Sequence, residues 1–154
     1  MTRVLFVCLG NICRSPLAEA IFRRIATERG LDVEVDSAGT GDWHVGSLPD
    51  RRACQVGQAS ACRMDMRARQ FHESDFERFD YIVPMDIANQ RDLHRWTNAK
   101  PEKVRLMLTF DPQAVGEEVP DPYYGHLEDF REVAAMLETA CRGLADEIEA
   151  NARK

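Results

Sequence analysis

Four short apolar runs punctuate the chain: Val4 to Cys8, Val33 to Ser37, Tyr81 to Met85 and Val104 to Phe110, each rich in Val, Ile, Leu, Phe or Met. Runs of this length and composition predict buried strands. Between them the apolar spacing changes to three and four residues. Leu17, Ala20, Ile21 and Ile25 share one face of a helix expected over Pro16 to Arg29, with Gly30 as its stop. A second helix is expected to begin near Ser74, and a third follows Asp86 with Ile87, Leu93 and Trp96 turned inward. Near the C-terminus Phe130, Val133, Leu137, Cys141, Leu144 and Ile148 form the clearest apolar stripe, predicting an amphipathic helix to about Glu149.

Strands alternating with helices predict an α/β fold, a parallel sheet covered on both faces, because each parallel strand needs a crossover to return. Ligands of such sheets sit beyond the carboxyl ends of the strands. Cys8, Ser37 and the pair Met85-Asp86 fall at those ends.

Composition narrows this picture. The 154 residues, 44% hydrophobic and 30% charged, suit one soluble domain with a single core, and no linker or repeat divides them. A net charge of −6 argues against nucleic acid or anionic membrane as partner, since both need a positive field. An anionic substrate would then be held by local donors. The apolar run after Met1-Thr2-Arg3 is too short for a signal peptide or a membrane span, so a cytoplasmic location is expected. Five cysteines at irregular spacing form no disulfide framework, and neither they nor the four histidines show metal-ligand spacing, so no metal or cofactor is expected. Arg23-Arg24 and Arg51-Arg52 read as solvated helix faces.

The chemistry concentrates in Cys8-Leu9-Gly10-Asn11-Ile12-Cys13-Arg14-Ser15-Pro16, between the first strand and the first helix. Ser15 is a preferred helix cap and Pro16 a preferred first helical residue, so the helix would aim its unpaired amides into this loop. Gly10 and Asn11 best tolerate the left-handed backbone that turns N–H groups inward as an anion nest. A phosphate would sit among the loop residues 9–15, above Cys8, where the positive surroundings favour a thiolate. Arg14 adds a planar fork for two phosphate oxygens. One glycine and no Lys-Ser/Thr pair exclude a nucleotide P-loop. Spacing alone also fits a buried strand cysteine, a surface arginine and a simple cap.

The run Val4 to Pro16 resembles the signature of the low-molecular-weight protein tyrosine phosphatases. The likeness continues through Ser37-Ala38-Gly39-Thr40, Ala68-Arg69-Gln70, Phe79-Asp80-Tyr81-Ile82 with Met85-Asp86, and Asp121-Pro122-Tyr123-Tyr124-Gly125. It implies a four-stranded parallel sheet with helices on both faces, a metal-independent mechanism and phosphotyrosine substrates. By that likeness Cys8 is the nucleophile, Arg14 the phosphate ligand and Asp121 the general acid. Ser15 would bond the Cys8 thiolate, while Asn11 and Ser37 would support the loop. Tyrosine-phosphorylated proteins and a cognate tyrosine kinase are the implied partners, and a monomer is the default.

Asp121 lies between Pro120 and Pro122, which restrict where its carboxylate points. Asp86, at a strand end on the same edge, is the rival acid. Tyr123 and Tyr124 fit the walls of a substrate cleft; Trp43 fits either that wall or the core. Cys13 is positioned in sequence to capture an oxidised Cys8 as a disulfide. Met66 stands where many family members carry a histidine that supports the loop, and Pro84 interrupts the third apolar run. Three other readings use the same scaffold. A phosphoarginine phosphatase would typically have threonine at Ile12, an arsenate reductase would need further relay cysteines, and a non-catalytic phosphotyrosine-binding module would need neither thiolate nor acid.

Overall fold

The computed structural model describes residues 1–154. Strand β1 (Thr2–Cys8) forms the middle of a three-stranded parallel sheet, with β2 (Val33–Gly39) on one side and β3 (Tyr81–Pro84) on the other. Val4 through Val7 are wholly buried, which is why the run is unbroken and not alternating: both faces of a central parallel strand are covered. Val4, Phe6 and Cys8 face one core, while Leu5 and Val7 face the other with Phe71, Phe76, Phe79, Ile82 and Leu93. Cys8 pairs in register with Gly39, and Val7 with Pro84, so the three carboxyl ends lie side by side.

Helix α1 (Arg14–Arg29) and the long α5 (Leu127–Ala152) pack together over the Phe6 face. The stripe from Phe130 to Ile148 is buried as the spacing predicts, each large side chain contributing about 1.5–3 kcal/mol. Three short helices complete the chain: α2 (Arg51–Ala59), α3 (Asp75–Arg78) and α4 (Ile87–His94). On α4 only Leu93 turns inward as expected. Ile87 and Trp96 remain partly exposed, Trp96 leaning on Phe71.

The fourth strand expected over Val104 to Phe110 does not form. Val104 makes one parallel bridge to Ile82, with the Arg105 amide donating to the Ile82 carbonyl at 3.0 Å, and the chain then turns into a 3₁₀ segment at Met107–Phe110. In a parallel ladder the next bond in sequence would run from the nitrogen of residue 84 to the Arg105 carbonyl. Residue 84 is proline and has no proton to give. The apolar run is buried all the same: Met107, Leu108 and Phe110 join the core beneath α5. No helix is long and apolar enough to cross a membrane.

Candidate active site

The loop from Cys8 to α1 is shaped by three small features. Asn11 has φ 56°, the left-handed conformation its short amide side chain tolerates. Gly10 has no such φ; its need is space, since a Cβ there would lie 3.1 Å from the His44 ring. Gly39 is required by close approach, because its Cβ would stand 2.7 Å from the Leu9 carbonyl oxygen. Helix α1 begins at Arg14 with Cys13 as its cap, two residues earlier than the sequence predicts. Ser15 is therefore inside the first turn, with its hydroxyl freed from capping. The amides of Ile12, Cys13, Arg14 and Ser15 donate to no acceptor in the protein.

That hydroxyl belongs to a chain of hydrogen bonds that begins at the Arg69 main chain. The Arg69 amide donates to Asn11 Oδ1 at 3.0 Å, so Asn11 Nδ2 must face the two hydroxyls, Ser15 at 2.8 Å and Ser37 at 3.0 Å. Ser37 then donates to Glu19 Oε1 at 2.6 Å. The Ser15 hydroxyl lies 2.9 Å from Cys8 Sγ and is the donor there whenever the sulfur is a thiolate, and the Asn11 amide donates to that sulfur at 3.3 Å. Glu19 is buried at the far end against Arg23, 2.8 Å away; burial pushes its pKa up despite the Ser37 and Arg23 contacts.

Arg14 crosses from the first turn of α1 to the opposite side of the cleft. Its side chain is 3% exposed, with Nη1 donating to Asp86 Oδ2 at 2.6 Å and to the Val119 carbonyl at 3.0 Å. Nη2 lies 3.7 Å from Asp121 Oδ2. Burial alone would lower its pKa, but Cys8, Asp86 and Asp121 outweigh it and hold the guanidinium charged. Asp86 has no oxygen to spare, since its Oδ1 accepts from the Asn89 amide and caps α4. Asp121 is 43% exposed and tied only lightly, accepting from the Tyr123 amide at 3.1 Å.

Cys8, Arg14 and Asp121 meet in a cleft of about 300 Å³. Leu9, Gly10, Ile12 and Cys13 line its floor; Trp43, His44, Tyr123 and Tyr124 line its walls. Trp43 is thus at the cleft and largely exposed, not in the core. Asn11, Ser15 and Ser37 stand behind the loop. The Cys8 and Cys13 thiols are both free, and burial with Asp50 and Cys8 nearby pushes the Cys13 pKa far up. No group of three or more His, Cys, Asp or Glu side chains is arranged to hold a metal ion.

The family model for low molecular weight phosphotyrosine protein phosphatases matches residues 3–154. The chain belongs to that family. A low molecular weight protein-tyrosine-phosphatase of Streptomyces coelicolor is 47% identical over 148 residues, spanning 92% of this chain and 90% of that one. The low molecular weight phosphotyrosine protein phosphatase of Sus scrofa is 41% identical over 150 residues, 94% of each chain. Among solved structures, YfkJ from Bacillus subtilis superposes with a TM-score of 0.91 at 40% identity, covering 98% of this chain and 96% of that one. The YwlE arginine phosphatase gives the same TM-score, 0.91, at 26% identity, with 99% of each chain covered.

Within this low-molecular-weight phosphatase, three site residues escape a reading of the sequence: His44, Glu19 and Arg52. His44 is a cleft wall, though its spacing in the sequence says only that it is no metal ligand. Glu19 ends the polar chain; a single acid inside the apolar stretch Leu17 to Phe22 was its one signal. Asp86, read from the sequence as the rival acid, anchors Arg14. Arg52 is no solvated helix face: its fork holds Asp50 and the carbonyls of Tyr123 and Gly125. Met66 packs against the apolar core, and Asn11 Oδ1 accepts from the Arg69 amide.

Proposed function

We propose that the protein hydrolyses phosphotyrosine and other aryl phosphates through a phosphocysteine intermediate. The observation that carries this reading is Cys8 Sγ lying beneath unpaired amides, with Arg14 and Asp121 on the rim of the same cleft. A phosphate seated there would take hydrogen bonds from the loop amides and from the Arg14 fork. The Cys8 thiolate attacks phosphorus, forming the S–P bond as the P–O bond to the aryl group breaks. Protonated Asp121 gives its proton to the departing phenolate oxygen. Water then attacks the phosphocysteine and passes a proton to Asp121, and the S–P bond breaks to release inorganic phosphate and regenerate the thiolate. Ser15 and the Asn11 amide favour the thiolate at both ends of the cycle.

Asp121 is the acid in preference to Asp86, because Asp86 is consumed by Arg14 and the α4 cap while Asp121 lines the cleft. The aromatic walls favour an aryl ester over the shorter phosphoserine. Ile12 and the identities, 40–47% to tyrosine phosphatases against 26% to the arginine phosphatase, favour phosphotyrosine over phosphoarginine. Cytoplasmic tyrosine-phosphorylated proteins are the natural partners of such a site.

The test is hydrolysis of para-nitrophenyl phosphate in the presence of a chelator. Wild type should turn over, Cys8→Ser should lose all activity, and Asp121→Asn should lose about 10²–10⁴-fold on phenyl phosphate. Turnover of a phosphoarginine peptide but not of phenyl phosphate would overturn the substrate assignment.

A further inference from the structure

Arg52, in the first turn of α2, lies outside the cleft yet is bonded to both loops that build it. Its Nε and Nη2 grip the two oxygens of Asp50 at 3.0 Å each. Nη1 donates to the Gly125 carbonyl and Nη2 to the Tyr123 carbonyl, both at 2.8 Å, and the guanidinium lies 4.4 Å over the Phe130 ring. Tyr123 in turn holds Asp121 through its amide, 3.1 Å from Oδ1. On the other side, the Asp50 amide donates to the Ile12 carbonyl of the Cys8 loop at 2.8 Å. One ion pair therefore spans the loop that carries the thiol and the loop that carries the acid.

We propose that Arg52 is a positioning residue that sets where the Asp121 carboxyl stands over the Cys8 loop; this rests on the phosphatase reading above. Asp50 balances the guanidinium charge and fixes it relative to Ile12, Phe130 supplies a flat platform, and the remaining N–H groups pin the acid loop. Only a planar, multiply donating fork makes all of these contacts together, so lysine does not substitute. Arg52 touches no substrate atom; it acts through Tyr123 on Asp121.

A plain structural staple would affect all substrates alike, whereas a residue that aims the acid matters only where the leaving group needs a proton. The experiment compares kcat/KM for phenyl phosphate, whose leaving group is poor, with 2,4-dinitrophenyl phosphate, whose leaving group departs unaided. Arg52→Met should lose about tenfold or more on phenyl phosphate and stay within about twofold on the dinitrophenyl ester. Added to Asp121→Asn, it should cause no further loss on phenyl phosphate, and Arg52→Lys should behave like Arg52→Met. If Arg52→Met does not fold, Arg52→Gln carries the same comparison. An equal drop on both esters, or a full additional loss in the Asp121→Asn background, overturns the proposal. Absence of hydrolysis of either ester by wild type would overturn the phosphatase reading, and this inference with it.

Discussion

Ser15 shows how much a single hydroxyl carries when its partners leave it one choice. Asn11 donates to the Ser15 oxygen, and a thiolate at Cys8, which can only accept, takes the Ser15 proton. Removing it in Ser15→Ala withdraws a hydrogen bond to a charged sulfur, worth about 1.5–3 kcal/mol, so kcat/KM should fall roughly 10- to 100-fold. Activity of Ser15→Ala within about twofold of wild type would refute that role for the hydroxyl. Glu19 sits at the other end of that chain, holding Ser37 in the orientation that keeps Asn11 turned toward Ser15.

Between elements, the decisive contact is the approach of β2 to the Cys8 loop. Gly39 pairs with Cys8 and lets the Leu9 carbonyl come close; in Gly39→Ala the new carbon would meet that oxygen at 2.7 Å, and the backbone must shift. A displacement near 1 Å at the loop should lower kcat/KM about 100-fold while the thermal midpoint falls only modestly. Kinetics and a melting curve on the same preparation separate the two effects. The loop itself was legible in the sequence because its residues serve local needs: a left-handed Asn11, an apolar strand before and a helical turn after. The apolar run at Val104 was misread because periodicity cannot distinguish a strand from a buried 3₁₀ turn, and the deciding fact, the missing proton of Pro84, acts on a neighbour twenty residues away. Arg52 and His44 were invisible for a related reason. Their roles depend on the α2 and Tyr123 segments meeting in space, which no local pattern encodes.

At the scale of the whole molecule, the far end of α5 is fastened to the sheet by Tyr81, Glu147 and Arg105. Tyr81 Oη donates to Glu147 Oε2 at 2.6 Å, and Arg105 Nη1 reaches the same oxygen at 2.6 Å. Burial, reinforced by the bond to Glu147, raises the Tyr81 pKa from 10.0 to about 12. The folded state thus keeps a proton that the unfolded chain gives up sooner. Stability from this bond is complete below pH 10 and is lost as pH climbs toward 12. Urea unfolding across that window should show a steeper decline for wild type than for Tyr81→Phe; parallel declines would refute the linkage. At the cleft end the molecule is tied differently. Val119 is bonded to Met85 through its amide and to Arg14 through its carbonyl, and Gly125 is bonded to Arg52. Only Pro120 to Tyr124 lie between these moorings, and two of those five residues are prolines. So short and stiff an arch has no travel for a lid that swings open and shut. In the proposed reaction Asp121 therefore stands at the cleft before substrate arrives.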